Sequence, residues 1–324
     1  MLTLSKPPKS AKFGLFAIAL GLLALPALPA PTFAQTQASP ALSTSQTTAN
    51  RESFRVTSPD GTSLAVTAQG APAAPEILLI HGLRQSHLSW EKQLDDPSLS
   101  GFRIVTFDLR GHGNSDKPVK LDAYSDANRW AEDVQAVIKG AKLRRPVLVG
   151  WSLGGYVVGA YLQKYGGSTL AGIDLVDPVS NLSPDLFYKE TIDFIATTTS
   201  KNLETRAVAT ADFLAACFHQ APTPAEMREM LVINGMTESA VYEGVLKTET
   251  TNLEPYFAAF KGPILLSQGR HDRLVKMDMI ERLKAVAPDS EISVFENSGH
   301  SPFFEEPARF NAELASFVTR ANAR

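Results

Sequence analysis

The segment "LVGWSLGGYVVGAY", Leu148 to Tyr161, sets the tightest limit on what this chain can become. An apolar strand introduced by Pro146 ends at a lone hydroxyl, Ser152, with Gly150 and Gly154 two residues away on each side. A helical run, Leu153–Gln163, follows at once. G-x-S-x-G alone is a common pattern, and a small serine in a tight turn is the bland reading. In a strand–turn–helix setting, however, it holds the serine on a sharp bend with its oxygen exposed at the edge of a sheet. Such a hydroxyl is a nucleophile only beside a base that takes its proton, so the rest of the chain must supply one.

Short apolar runs recur at Ile77–Ile80, Ile104–Phe107, Val147–Val149, Ile173–Val176, Ile264–Leu266 and Ile292–Phe295. Helical patterns separate most of them, at Trp130–Ile138, Val157–Gln163, Met279–Val286 and Phe310–Thr319. Buried strands alternating with helices predict an α/β fold built on a mostly parallel, doubly wound sheet. Ahead of it, Ser53–Thr57 and Ser63–Thr67 read as two strands joined at Pro59-Asp60-Gly61. The rhythm fails once. Between Asp177 and Pro263 lie 85 residues with no convincing strand, too long for a structureless loop in a compact domain. Helical stretches at Leu186–Ile195, Thr205–Phe218, Ala225–Ile233 and Glu238–Leu246 predict an inserted helical cap over residues 181–260. The core is then expected in two parts, residues 53–180 and 261–324.

Six histidines compete for the role of base. His300 stands in "FENSGHSPFFEEP", the loop after the last apolar run. In a parallel sheet that loop opens at the carboxyl edge, where the bend at Ser152 also lies. His81 ends a strand, His87 opens a helix, His112 sits among glycines, His219 falls in the insertion, and His271 precedes an acid. His300 is therefore the expected base. Asp272, in "LLSQGRHDRLV", is the acid expected to orient it, and the chain order Ser152, Asp272, His300 suits an elbow of this kind. Asp177, at the end of "GIDLVDP", reaches the same edge one strand earlier and is the rival. The backbone amides of Leu153 and of Leu83, in "HGLRQS", are the expected oxyanion donors. His81 is expected to order that loop rather than transfer protons.

The amino terminus carries Lys6, Lys9 and Lys12, an apolar run of 13 residues from Phe13 to Leu25, and then Pro26, Pro29 and Pro31. That run is short of the ~20 residues of a spanning helix. Residues 1–34 are expected to be a signal peptide cut after Ala34, which implies export to the periplasm or beyond. Residues 35–52, mostly Ser, Thr, Gln and Ala, read as a disordered linker. The formal net charge of −3 argues against a nucleic-acid or anionic-membrane partner. Cys217 is the single cysteine, so no intrachain disulfide exists. With no H-E-x-x-H and no metal-type Cys/His spacing, neither a metal nor a cofactor is expected. Trp151, Trp90, Phe187 and Phe213, with Phe194 and Phe218, are candidates for an apolar substrate pocket, although such aromatics more often serve a core.

"LLIHGLRQSHLSW", "FDLRGHGNSDKP", "LVGWSLGGYVVGAY", "QGRHDRLV" and "SGHSPFFEEPARF" resemble, in order and spacing, the matching segments of the α/β-hydrolase superfamily. The resemblance spans about Ser53 to Val318. It is greatest to the group of bacterial esterases, lactonases and cofactor-free haloperoxidases (perhydrolases). It implies a catalytic triad at Ser152, Asp272 and His300, oxyanion donors at Leu83 and Leu153, and a helical cap from about Asn181 to Phe260. Relatives with aspartate at the elbow are haloalkane dehalogenases and epoxide hydrolases, and those with cysteine are dienelactone hydrolases. Serine points instead to acyl transfer. Leu83 departs from the aromatic residue that many perhydrolases carry after the His-Gly pair. The expectation is an exported serine hydrolase of small carboxylic esters or lactones. Its alternatives are a perhydrolase using the same triad and a non-catalytic binding protein on the same scaffold.

Overall fold

A run such as Ile77-Leu78-Leu79-Ile80 is apolar on both sides of a pleat, so a strand made from it needs cover on both faces. The computed structural model, which describes residues 51–323, supplies that cover. The strands are β1 (Glu52–Thr57), β2 (Ser63–Gln69), β3 (Glu76–Ile80), β4 (Arg103–Phe107), β5 (Val147–Trp151), β6 (Gly172–Val176), β7 (Ile264–Gly269) and β8 (Glu291–Phe295). They form one sheet in the order β1-β2-β4-β3-β5-β6-β7-β8. β1 pairs antiparallel with β2, and β2 with β4; the remaining neighbours are parallel. β3 to β7 are buried along their whole length, whereas β2 alternates.

The helices are α1 (Glu91–Leu94), α2 (Asp122–Ser125), α3 (Ala127–Gly140), α4 (Leu153–Tyr165), α5 (Lys189–Thr198) and α6 (Leu203–Ala216), followed by α7 (Pro224–Gly235), α8 (Ser239–Val245), α9 (Glu254–Ala259), α10 (Asp278–Val286), α11 (Pro302–Glu305) and α12 (Pro307–Asn322). Alternate residues of β3 feed two separate cores. Leu78 and Ile80 join Trp130 of α3, Val157 of α4 and Leu283 of α10. Ile77 and Leu79 join Trp90, Phe303 of α11 and Leu314 of α12. The strand order reverses between β3 and β5, and the carboxyl ends of those two strands flank the crevice where an open α/β sheet takes its ligand.

Between β6 and β7 the chain makes the expected helical excursion, α5 to α8. Thr223 and Glu226 cap the start of α7 reciprocally, with Pro224 in its first turn, so the prolines of this stretch act as punctuation between helices. Two boundaries differ from the sequence reading. An antiparallel bridge, Asn181 to Asn252, closes the neck of the excursion, and α9 then packs on α4 and α10. The excursion therefore closes nearer Asn252 than Phe260, because the apolar face of α9 (Phe257 foremost) belongs to the core. β1 starts at Glu52, the last residue assigned to the linker, since the ladder with β2 extends to the pair Glu52–Ala68. The signal peptide expected at 1–34 and the linker up to residue 50 lie outside the described residues.

Asp174 sits in the middle of β6, fully buried, with Oδ1 accepting from Ser267 Oγ at 3.0 Å and Oδ2 without a partner among the described residues. Burial raises its pKa from 3.8 to about 7. The folded chain thus keeps this proton over a range in which the unfolded chain has lost it. Its contribution is unchanged below 3.8, costs stability progressively as pH rises to about 7, and then levels off. Asp174→Asn cannot ionise, so it should gain stability over the natural protein between about pH 5 and about pH 8. Urea unfolding at both pH values checks this; parallel pH dependence in the two proteins would contradict it.

Candidate active site

Ser152 is the residue between β5 and α4, and its backbone lies at φ 54°, ψ −116°, a region that L side chains rarely adopt. The flanking glycines follow from close backbone approach. A Cβ on Gly150 would stand 2.6 Å from the Gly154 carbonyl oxygen, and one on Gly154 would stand 2.3 Å from that of Ile80. With those side chains absent, α4 starts directly against the end of β3. Ser152 itself is anchored through its backbone: its N–H donates to Val176 O at 3.0 Å, and its carbonyl accepts from Val179 N at 2.9 Å.

His300 and Asp272, expected as base and acid, are brought together. His300 Nδ1 donates to Asp272 Oδ2 at 2.8 Å, and both residues are buried. Asp272 Oδ2 also accepts from Gln268 Nε2 at 3.1 Å, while Oδ1 accepts from the amides of Leu274 and Val275 at 2.7 and 3.1 Å. Four donors occupy the lone-pair positions of one carboxylate. The indole of Trp151, the residue before Ser152, donates to the His300 carbonyl at 2.6 Å and ties the histidine loop to the bend. The rival acid does not hold the histidine. Asp177 Oδ1 accepts from Gly269 N at 2.9 Å, and Oδ2 has no partner among the described residues. Its carboxylate, that of Asp272 and a ring nitrogen of His300 lie within 4.8 Å of one another. Burial, and then the charge of Asp272, raise Asp177 well above the usual aspartate range.

On the opposite side of the crevice, His81 is fully buried, and burial lowers its pKa to about 4. Its Nε2 accepts from Leu109 N at 2.9 Å, so Nδ1 carries the proton and donates to Gly82 O at 2.7 Å. That neutral ring pins the loop after β3. Asp108 holds the same loop from below by accepting from the amide and Nδ1 of His87 at 2.7 and 2.8 Å, and from Asn114 N. The Leu83 amide has no acceptor among the described residues. Leu153 opens α4, where a helix cannot satisfy its own first amides. A Cβ on Gly82 would come within 3.2 Å of Ser152 Cβ, so the two loops converge.

The aromatic candidates divide. Trp151 and Phe218 wall a cavity of about 110 Å³ that also touches Ser301, next to His300, together with Met230, Ile233 and Phe304. Trp90, in contrast, is fully buried against Trp151 and Phe303, because its ring completes the core on the α12 side of the sheet. Phe187 bridges to Val275 and packs on the core, and Phe213 stacks edge-on against Phe194 between α5 and α6. Sequence reasoning missed Gln268 and two glutamates. Glu305 accepts from Gly299 N and from His219 N and Gln220 N, tying the histidine loop to the cap, while Glu306 accepts from Ser298 Oγ and Asn297 N. The pair "EE" after "SPFF" was their only signal.

Comparison with known proteins agrees with this architecture. The family model for the alpha/beta hydrolase fold matches residues 75–307. The AB hydrolase superfamily protein YisY of Bacillus subtilis is 31% identical over 250 residues, covering 74% of this chain and 90% of that one. The bifunctional esterase/perhydrolase DCH of Acinetobacter calcoaceticus is 27% identical, over 81% of this chain and 98% of that one. A crystal structure of a candidate aryl esterase from Burkholderia cenocepacia superposes with a TM-score of 0.81 at 39% identity, over 84% of this chain and 100% of that one.

The close approach at Gly154 gives a direct stability test. Gly154→Ala places a methyl group against the backbone of Ile80 and should cost about 1–3 kcal/mol, the range of an overpacked core. Gly101→Ala meets nothing within 4 Å and serves as the control. Denaturant midpoints check the pair; equal stability of the two variants would mean that α4 does not depend on contact with β3.

Proposed function

The chain belongs to the alpha/beta hydrolase fold family, and from that premise we propose that it hydrolyses carboxylic esters through an acyl-enzyme on Ser152. The observation that carries this reading is the 2.8 Å hydrogen bond from His300 Nδ1 to Asp272, in a loop tied to the bend by Trp151. With Nδ1 engaged, Nε2 is the nitrogen left to take the Ser152 proton. Ser152 Oγ then attacks the ester carbonyl, and the Leu83 and Leu153 amides receive the negative charge that develops on its oxygen. His300 returns the proton to the departing alcohol. A water activated by His300 next cleaves the acyl-enzyme, releasing the acid and restoring Ser152.

Small esters or lactones suit this site, with the helices over residues 181–252 selecting among them. The amino-terminal pattern of lysines, apolar run and prolines supports export of the protein. Among the described residues no helix is long and apolar enough to cross a membrane. The likeness to the Acinetobacter esterase/perhydrolase favours a second activity. Hydrogen peroxide replacing water at the acyl-enzyme would release a peracid instead of the acid, and the peracid would oxidise bromide. Bromide-dependent dye bromination in acetate and peroxide tests it, and the Ser152→Ala protein should lose it entirely.

The two aspartates separate cleanly. Asp272→Asn replaces an acceptor of the His300 proton by an amide and should cost about 10⁴ in kcat, the scale known for a serine protease triad. Burial and the charge of Asp272 push Asp177 toward its neutral form, so Asp177→Asn keeps its shape and alters little of its charge, and should cost less than about tenfold. Steady-state hydrolysis of p-nitrophenyl esters by both variants decides the matter. The reverse ranking would make Asp177 the working acid.

A further inference from the structure

The loop that carries Leu83 also carries an arginine that no carboxylate neutralises among the described residues. Arg84 is 9% exposed, and its backbone lies at φ 59°, in the left-handed region. Strain of this kind persists where a function needs it. The guanidinium makes one hydrogen bond, from Nη1 to Thr210 Oγ1 at 3.3 Å, and its Cζ lies 4.9 Å from the centre of the Tyr242 ring. Nε has no partner, and no carboxylate pairs with the group among the described residues. A buried cation left unpaired costs several kcal/mol of desolvation. Elsewhere in this chain the same problem is solved in the ordinary way: buried Arg110 is forked onto Asp133 at 2.6 and 2.7 Å and reaches Asp60 at 2.9 Å.

Arg84 faces a cavity of about 610 Å³ among the helices between β6 and β7, bounded also by Thr198, Arg206, Thr210, Thr237 and Tyr242. That volume lies within the usual range of small-molecule sites. The Arg206 guanidinium donates to Ser200 O at 3.2 Å and likewise has no carboxylate partner among the described residues. Thr237 Oγ1 is buried and has no hydrogen-bond partner among the described residues. Two carboxylates share the wall, and neither reaches Arg84. Glu238 is engaged with Ser239 Oγ and the Ala240 amide at the start of α8, and Glu243 is exposed. The wall therefore offers an unpaired guanidinium fork and a free hydroxyl, the donor set that recognises a carboxylate in bidentate fashion.

We infer that this cavity is a subsite for a small carboxylate, held by Arg84, the residue that follows Leu83 in the loop after β3. The inference extends the ester-hydrolase reading and rests on it for the identity of the substrate: an ester whose far end bears a second carboxylate, a half-ester of a dicarboxylic acid. The same chemistry would also receive a free dicarboxylate.

The test pairs binding with turnover. Glutarate is titrated calorimetrically into Ser152→Ala protein, and wild-type kcat/KM is compared between the p-nitrophenyl half-ester of glutarate and neutral p-nitrophenyl pentanoate. The expected result is saturable glutarate binding and a preference of about tenfold or more for the half-ester, the scale of one charge-assisted contact. Arg84→Asn, chosen because asparagine tolerates the left-handed backbone, should bring the ratio near one and abolish glutarate binding. Arg206→Gln, outside the strained loop, should weaken both. Glutarate that competes with the half-ester assigns the subsite to the substrate's own carboxylate. Glutarate that binds without competing assigns it to a free acid, and the site stands. No glutarate binding together with a wild-type ratio near one overturns the inference. Failure of the neutral ester to react would instead strike the hydrolase reading, leaving the calorimetric arm to judge the subsite alone.

Discussion

The left-handed backbone at Ser152 is the constraint on which the rest of this structure depends. A residue at φ 54° persists only where its surroundings over-determine it. Here β5 is paired on both sides, to β3 and β6, and α4 is pressed against β3 through glycines too small to resist. Buried apolar strands give rigidity, and that rigidity holds one hydroxyl at the carboxyl edge of the sheet. Strands β3, β6 and β7 then deliver their own chain ends to the same edge: Gly82 and Leu83, Asp177, and Asp272.

Around that point, two similar carboxylates have different surroundings. Asp272 accepts four hydrogen bonds, one from His300, whereas Asp177 accepts a single amide and is forced toward its neutral form. Two like charges in one buried site cannot both ionise cheaply, which adds to the rise that burial imposes on Asp177. Glu305 extends the network outward by holding the histidine loop and the cap through the same carboxylate. Cap position and histidine position are thereby linked through one side chain.

How much of this was legible in the sequence depended on range. The strands and flanking helices were readable because burial on two faces writes itself as continuous apolar runs, and the observed elements extend those runs by only a few residues. Ser152, Asp272 and His300 were findable because each lies in a short motif at a strand end. The Trp151 to His300 tie was not, because it joins residues 149 apart and an indole N–H has no sequence pattern. Trp90 looked like a pocket residue because an aromatic side chain does not announce which layer it fills. The burial of Arg84 was hidden as well. Arginine is ordinarily a surface residue, and only the placement of α6 and α8 over the loop encloses it.

In the proposed reaction, the bend serves to present Ser152 as a nucleophile. The most direct measurement is labelling by a fluorophosphonate probe, followed by mass spectrometry of the modified peptide, in the natural protein and in Ser152→Ala. One adduct is expected, on Ser152, formed at the rate at which ester hydrolysis is lost. Ser152→Ala should show neither labelling nor more than a few per cent of the activity, with unchanged circular dichroism. Labelling at another residue, or an active Ser152→Ala protein with a normal fold, would contradict that role of Ser152.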